Sequence, residues 1–565
     1  MLCALMAAAL VTGCGGGSNG APANPDLVPP APDAGVDAAE DATGDAILAT
    51  TTYHGEAQTI LDERCVLCHK TGGGAPFSMT WNEDEWADGP AWWTGMAMAA
   101  IAEGRMPPWQ PASGCRPIQH DLSLLPEEKA VLESWQAEGF ARGEVSSDPG
   151  PVGGDPDTGP EPTIVTDAGA AYVADRTAPD DYRCFLLDTT FETDRFVTQS
   201  DVWPGARDVV HHVILYRVLG EDVDDVETLD DADGGLGYRC FGGPGVEAEF
   251  VGGWAPGAKP FAFPKGSAMQ VMKGSRIVMQ LHYNTSYLDA DAEVPEDLTQ
   301  MALWLLPEGE TPADLVSFRS FANREFLIPA NEPSSTHVMD EPFLWNSHVV
   351  GVVPHMHNLG TEIRASILDE SGGEACLFDI RSWDFNWQQL YLFEDGEEVF
   401  VHGLSQHRMT CSYDNSPENQ PVVNGVQSDP THVVWGDGTS DEMCLNFALL
   451  KFPYQAMQHK CGNYTWCAKK CDGDFGCVYG CALGSGEECG SCLSDAYVAC
   501  GQEHCAADTA TALQCAQACG EDGQETIACL MGTCRDDWQV VHDCVGPAMD
   551  SGACDAHLGP CDLGP

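Results

Sequence analysis

Three histidine-bearing segments and one thiol pair are the groups in this chain best equipped to do chemistry. Cys65-Val66-Leu67-Cys68-His69 has the order that covalent haem attachment requires. Two thiols add to the haem vinyl groups, and the residue after the second, His69, becomes the proximal iron ligand. A thioether would complete the axial pair. Met106, in Gly104-Arg105-Met106-Pro107-Pro108-Trp109, is the natural distal ligand, with Met96 and Met98 as competitors. The alternative for the two thiols is a zinc or disulfide pair. Further along lie His211-His212, Gln280-Leu281-His282 and His355-Met356-His357. Neutral imidazoles suit copper and zinc. His355 and His357 alternate, so a strand turns both rings to one side. Adjacent His211 and His212 can share a metal only at a bulge or a strand end. Met443, in Asp441-Glu442-Met443-Cys444, adds a thioether, which favours copper(I) and implies a redox-cycling copper rather than zinc.

The elements that must hold these groups follow from patterning. Residues 52–145 read as a helical module: helical sequence precedes Cys65 from Ala57 to Arg64. A closing amphipathic helix is predicted from Pro126 to Ala137, with Val131, Leu132 and Trp135 at helical spacing. These segments resemble a class I cytochrome c. Residues 15–51 and 146–164 are rich in Gly, Ala, Pro, Asp and Ser; they cannot bury enough surface to offset ordering entropy and read as tether and linker. From 165 to 456, β-branched and aromatic residues alternate with polar ones, as in Val209 to Tyr216, between frequent turn signals. Two antiparallel, jelly-roll-like sandwiches are expected, over 165–310 and 311–456. Residues 457–565 hold sixteen cysteines, from Cys461 to Cys561, as a separate module. Cys467 and Cys471, Cys477 and Cys481, and Cys515 and Cys519 are each four apart, on one helix face, and Cys529 and Cys534 are five apart; a disulfide-stapled helical tail is expected. Metal storage by thiols is the alternative.

Between 165 and 455 the chain resembles the ascorbate-dependent type II copper monooxygenases, which include peptidylglycine hydroxylase and dopamine β-hydroxylase. The resemblance rests on Tyr182-Arg183-Cys184-Phe185, Val210-His211-His212-Val213, Gln280-Leu281-His282-Tyr283-Asn284-Thr285, Pro354-His355-Met356-His357-Asn358-Leu359-Gly360 and Asp441-Glu442-Met443-Cys444. It implies two copper ions per chain, one on His211, His212 and His282, the other on His355, His357 and Met443. Gln280 would sit beside the first copper's ligands. The resemblance also implies a Cys411–Cys444 bridge holding the methionine loop and, more weakly, a Cys184–Cys240 bridge. No partner is evident for Cys115 or Cys376. In the family, the all-histidine copper stores and passes an electron. The methionine-ligated copper binds O2 and activates it to abstract hydrogen from an unactivated C–H bond. One oxygen atom enters the product, the other leaves as water, and two electrons per turnover come from ascorbate. Here the fused haem, a separate redox donor protein or ascorbate would be the one-electron source. The peptide hydroxylase grips its substrate carboxylate with an arginine two residues before the first histidine of the second pair, and with an asparagine and a tyrosine beyond the methionine. This chain has Val353, Leu445 and Phe447 at those positions. A small apolar or aromatic substrate is therefore expected instead of peptidylglycine.

Composition places the chemistry. The net charge of -61, from 87 acidic and 26 basic residues in 565, excludes nucleic acid as a partner, because phosphate binding needs Lys and Arg. Twenty-six cysteines point to disulfides and an oxidising compartment. Met1 to Thr12 is short and apolar and leads into Gly13-Cys14, resembling a bacterial lipoprotein signal with Cys14 as the lipidated residue, although no Lys or Arg precedes the apolar run. An ordinary signal peptide is the alternative. The expected location is the outer membrane of a Gram-negative bacterium, with the lipid as the sole membrane contact. Two rival functions stand beside the monooxygenase: a haem and copper electron-transfer or metal-handling lipoprotein without hydroxylase activity, and a surface adhesion protein whose tail is the working part.

Overall fold

Strand Gln406–Tyr413 alternates buried with half-buried side chains, whereas Arg276–Asn284 and Ser347–His355 are buried along most of their length, and layers form where apolar faces meet. The computed structural model describes residues 51–144 and 160–564, apart from short gaps at 67, 71–74, 76, 88, 110, 178–179, 221, 256–259, 286–287, 289–291, 370–371, 386, 424–425, 437, 439 and 520–522. Cys14, the tether up to residue 50 and most of the 146–164 linker lie outside the described residues.

One layer of the first sandwich is a five-stranded sheet in the order Tyr238–Arg239, Asp180–Leu186, Arg276–Asn284, Val210–Val218, Ala248–Trp254. It packs on a ten-stranded sheet through Val213, Leu215, Ile277 and Met279, which meet Val197, Val202, Met301 and Leu303. The second sandwich sets a four-stranded sheet (Ser335–Pro342, Gln406–Tyr413, Gly360–Leu368, Glu374–Ile380) against the other half of that same ten-stranded sheet. Phe321, Val352, Ile363, Phe378 and Met409 fill this core.

The shared sheet departs from the expectation of two separate antiparallel sandwiches. Strand Ser267–Val271 of the first pairs in parallel with Asp314–Ala322 of the second, Ser267 opposite Asp314 and Ala268 opposite Leu315. Each half thereby caps an edge of the other, hiding backbone groups that would otherwise template aggregation. The join carries side chains as well: Val316, Val350 and Leu449 sit in the first sandwich's core.

The N-terminal module has helices Gln58–Arg64, Thr94–Ala102 and Pro126–Ala137 around Tyr53, Leu61, Trp86, Trp93, Leu132 and Trp135. Its segment 109–119 straps the module to the second sandwich. Cys115 and Cys376 form a disulfide, Ala112 N donates to Asp379 O, Gln119 N donates to Leu392 O, and the Trp109 ring meets Tyr391 edge-on at 5.4 Å. Pro111 bridges to Ile380 and Ile118 to Phe393. The strap therefore grips both ends of the chain segment between Ile380 and Phe393.

The tail is helical, and its sixteen cysteines form eight disulfides. Two helical hairpins are each closed by a nested pair: Cys467–Cys481 around Cys471–Cys477, and Cys515–Cys534 around Cys519–Cys529. The tail docks on the second sandwich where Asn346 Nδ2 donates to Cys481 O and Gly403 N donates to Gly480 O. A Cβ on Gly480 would lie 2.1 Å from the His402 ring, so only glycine fits this contact. No helix among the described residues is long and apolar enough to cross a membrane.

One buried group makes the second sandwich acid-sensitive. His407 is fully buried, lies flat on Phe321 at 4.1 Å, and accepts a hydrogen bond from Asn446 Nδ2. Burial, aided by Arg319, pushes its pKa down to about 3. The unfolded chain takes up this proton near pH 6.5. Above that pH the group adds no pH dependence; as pH falls toward about 3, only the unfolded state binds the proton, and stability drops by up to about 1.4 kcal/mol per pH unit. Thermal melts of His407→Gln against the parent between pH 7 and 4 should show a shallower loss in the variant; parallel curves would refute the assignment.

Candidate metal centre

The histidines of the first cluster come from two neighbouring strands. His282 on Arg276–Asn284 pairs with His212, while the next residue, Tyr283, pairs with Val210. His211 is thus the extra residue of a β-bulge, the irregularity that adjacent ligands require. Three Nδ1 atoms converge: His211 to His282 is 3.2 Å, His211 to His212 is 3.3 Å, and His212 to His282 is 3.4 Å. A point equidistant from such a triangle lies about 1.9 Å from each nitrogen, close to the metal–imidazole bond of about 2.0–2.1 Å. His282 Nε2–H donates to Asp180 Oδ1 at 2.9 Å, which leaves the lone pair of neutral His282 on Nδ1, aimed at the other two. Asn284 Nδ2 steadies the same carboxylate oxygen. Tyr182 stacks flat on His282 at 4.2 Å. Burial, then the histidine neighbours, holds His211 down to about 4 and His212 well below the usual range, so both rings are neutral at pH 7. The residues fit a metal ion.

The second cluster stands at the end of strand Ser347–His355. His355 and His357 have ring centroids 5.1 Å apart, at right angles. His355 Nδ1–H donates to Gln388 Oε1 at 2.6 Å and His357 Nδ1–H to Asp441 O at 2.9 Å, so Nε2 is the atom each ring would offer a metal. Burial pushes His355 down to about 3. Met443 lies on the loop that wraps His357. Glu442 is fully buried and accepts from the backbone N–H groups of His357, Leu359 and Met443, while Tyr413 donates to Met443 O and the Cys411–Cys444 disulfide closes the loop. Burial pushes the Glu442 carboxyl up to about 8, and those N–H donors pull it back.

Alternation sets which side chains share a face. Pro354 and Met356 are buried, as are Cys444, Asn446 and Ala448; Val353 and His355, and Met443, Leu445 and Phe447, are half-buried. His355 pairs with Leu445 and Val353 with Phe447. Met443 lies on the loop two residues ahead of strand Leu445–Pro453. Phe250 of the first sandwich stacks on Phe447 at 5.4 Å. The positions where a carboxylate clamp was missing from the sequence thus form an apolar wall beside His355.

The two clusters face each other across one ring. Phe385 stacks on His211 at 5.4 Å and meets His357 edge-on at 5.8 Å. His355 and His357 are near enough to depress His212 further. Gln388 Nε2 donates to Phe385 O, and Trp383 Nε1 donates to His357 O. The segment held at both ends by the N-terminal strap thus touches both histidine sets.

Sequence reasoning missed Asp180, Gln388 and Phe385. Gln280 is buried beside the first cluster, but its amide contacts the Cys240 sulfur of the Cys184–Cys240 disulfide and no cluster histidine. In the N-terminal module, the backbone turn Cys65–His69 is closed by His69 N donating to Cys65 O. His69 is buried, and its Nδ1 bonds Phe77 O at 3.1 Å, which orients the ring. Cys65 and Cys68 are the described cysteines outside disulfides. Met98 is buried in the core, whereas Trp92, Met96 and Met106 are 61%, 48% and 39% exposed.

Removing the carboxamide that aims His355 has a defined cost. If the two clusters bind copper, Gln388→Ala should weaken the second about 10- to 100-fold and leave the first unchanged. Competition titration of the two sites with a copper(I) chelator measures it, and equal loss at both sites would refute the separation.

No family model matches the chain, and no curated protein matches it. Among solved structures, PBCV-1 VP54, fitted into a reconstruction of the virophage Sputnik, aligns with 51% of this chain and 92% of its own at 8% identity and a TM-score of 0.22. A protein from Parabacteroides distasonis aligns with 51% of this chain and 88% of its own, at 8% identity and a TM-score of 0.13. Infectious bursal disease virus VP2 aligns with 51% and 70%, at 7% identity and a TM-score of 0.13. Likenesses this weak say nothing about the chemistry.

Proposed function

We propose that the chain is an exported, copper-dependent monooxygenase that hydroxylates an unactivated C–H bond of a small apolar or aromatic molecule with O2, fed with electrons by its own c-type haem or by ascorbate. The observation that carries the reading is the convergence of three imidazole Nδ1 atoms within 3.4 Å, facing a second histidine pair across Phe385. Copper held by His211, His212 and His282, and by His355, His357 and Met443, would supply one-electron transfer at the first set and O2 activation at the second. The protein's own part is orientation and exclusion of water. Asp180, Gln388 and the Asp441 carbonyl fix the rings, and Glu442 fixes the backbone of the methionine loop. Val353, Leu445, Phe447 and Phe250 offer an apolar wall on which a hydrocarbon or aromatic body can lie beside His355.

A haem on Cys65 and Cys68, with His69 on the iron and Met106 opposite, would supply single electrons. The exposed Trp92, Met96 and Met106 are apolar surface that such a group would cover. The strap from this module holds the segment whose Phe385 lies on His211, which favours delivery to the all-histidine set. Eleven disulfides require an oxidising compartment. Within that setting a lipid on Cys14 would anchor the chain to the outer membrane.

The deciding experiment is O2 uptake with product analysis on copper-loaded, ascorbate-reduced protein, across a panel of small aromatic and aliphatic amines, alcohols and hydrocarbons. Substrate-dependent uptake with a hydroxylated product supports the reading. Copper binding without any product leaves an electron-transfer protein, and absence of copper binding eliminates both.

A further inference from the structure

A cleft that the chemistry above does not use opens beside the first histidine set. Its volume is about 250 Å³ and it is partly open to solvent. Its walls are the carboxylates of Asp175, Asp180 and Asp181, the Arg239 guanidinium, and the rings of Tyr182 and Phe241. Two of these residues touch His282 directly. Asp180 Oδ1 accepts from His282 Nε2 at 2.9 Å, and the Tyr182 ring lies flat on the imidazole at 4.2 Å. A molecule seated in the cleft is one side chain away from a proposed copper ligand.

The walls are fixed before anything binds. Asp180, Asp181 and Tyr182 open strand Asp180–Leu186, and the Cys184–Cys240 disulfide ties the opposite wall to that strand. Cys240 N donates to Tyr182 O, and Arg239 pairs with Asp175 at 2.6 Å. Preformed walls lower the cost of binding. Their chemistry selects the ligand. Phe241 meets Tyr182 edge-on at 5.2 Å yet remains 56% exposed, so it offers apolar surface for a flat ring to cover. Three carboxylates against one guanidinium repel an anion, while the exposed Arg239 disfavours a cation. Carboxylates only accept and a guanidinium only donates, whereas a hydroxyl does both. Ring hydroxyls can therefore donate to the carboxylates and accept from Arg239.

Resting on the copper reading above, we propose that this cleft holds a small uncharged reductant of the hydroquinone type, which passes electrons to His282 through the Tyr182 contact. Each hydroquinone loses two electrons and its two hydroxyl protons and leaves as the quinone. The electrons go one at a time, each reducing copper(II) to copper(I) at His211, His212 and His282, the first having moved on to the second histidine set before the next arrives. The protons go to water at the open mouth. Ascorbate, an anion, is disfavoured in the cleft, and the haem route through Phe385 reaches His211 instead.

The first arm of the test needs no metal. Equilibrium dialysis of the full, copper-free chain under argon should show one saturable hydroquinone per chain. Its dimethyl ether, which lacks donors, and gentisate, the carboxylate of the same ring, should each bind about tenfold more weakly. Thr177→Trp, which fills the cleft from an exposed position on its wall, should abolish binding. The second arm uses the copper-loaded chain without O2, with the copper(II) resonance as readout. Its reduction rate should saturate with hydroquinone in the parent and lose that saturation in Thr177→Trp, while dithionite reduces both chains equally fast. Absence of saturable binding, binding that survives Thr177→Trp in a chain of unchanged circular dichroism, or equal hydroquinone rates in the two chains overturns the proposal. Copper uptake without hydroquinone binding overturns this proposal alone, whereas hydroquinone binding without copper uptake overturns the copper reading and the reductant role with it. Should Thr177→Trp misfold, Asp175→Asn decides. Its preference for hydroquinone over gentisate should shrink several-fold, and an unchanged ratio overturns the proposal.

Discussion

On the proposed reading, His282→Ala should bind one copper per chain against two expected for the parent, and its substrate-dependent O2 uptake should fall to background. His282 supplies one of three converging nitrogens and is the ring whose tautomer Asp180 sets, so its loss leaves two imidazoles that do not close a site. Asp180→Asn tests the same logic more gently. It keeps the shape but weakens the anionic acceptor on Nε2–H, and should lower copper affinity at this set about 10- to 100-fold. Metal analysis after dialysis, with electron paramagnetic resonance of the copper(II) that remains, measures both variants. Two coppers retained in His282→Ala would dismantle the first site as described.

The second large effect concerns the N-terminal module. Cys65→Ser with Cys68→Ser should remove covalently bound haem completely, read as loss of the haem band that persists in denaturing gels. The copper content should stay at two, because neither thiol lies in the β-sandwiches. In the parent, stopped-flow mixing of reduced haem with oxidised copper should reoxidise the haem rapidly, and a chain lacking His211 and His212 should do so more slowly. Equal rates would refute delivery through the all-histidine set. A parent chain expressed with haem-maturation machinery that takes up no haem would refute the haem assignment itself.

How far the sequence carries depends on how local each signal is. Adjacent His211 and His212 required a bulge or a strand end, a short-range feature, and the pairing there shows the bulge. The expected strand alternation of His355 and His357 is not met as such, because the strand ends at His355 and His357 lies beyond it. The Cys184–Cys240 and Cys411–Cys444 bridges came from the resemblance and are present. The groups that aim the ligands were not legible. Asp180 lies 102 residues from His282 and Gln388 lies 33 from His355, and a single carboxylate at a strand end or a single carboxamide in a loop carries no pattern. Phe385 reads as an ordinary aromatic until the fold sets it between two histidine sets. The Cys115–Cys376 bridge spans 261 residues, and the parallel join of Ser267 to Asp314 pairs chain segments whose edges look alike in sequence. Tail connectivity was equally hidden, since spacing alone does not tell nested bridges from crossed ones.

The parallel join has a mechanical consequence. Two β-sandwiches linked only by a peptide connector could swing like a clam shell around a substrate; two that share a backbone-bonded sheet and three core residues cannot without tearing that sheet. Any change in the gap between the two histidine sets must then arise within the short stretch bearing Phe385, which the strap grips at both ends. Substrate binding should leave the overall dimensions seen by small-angle scattering unaltered, while amide exchange changes locally around residues 381–390.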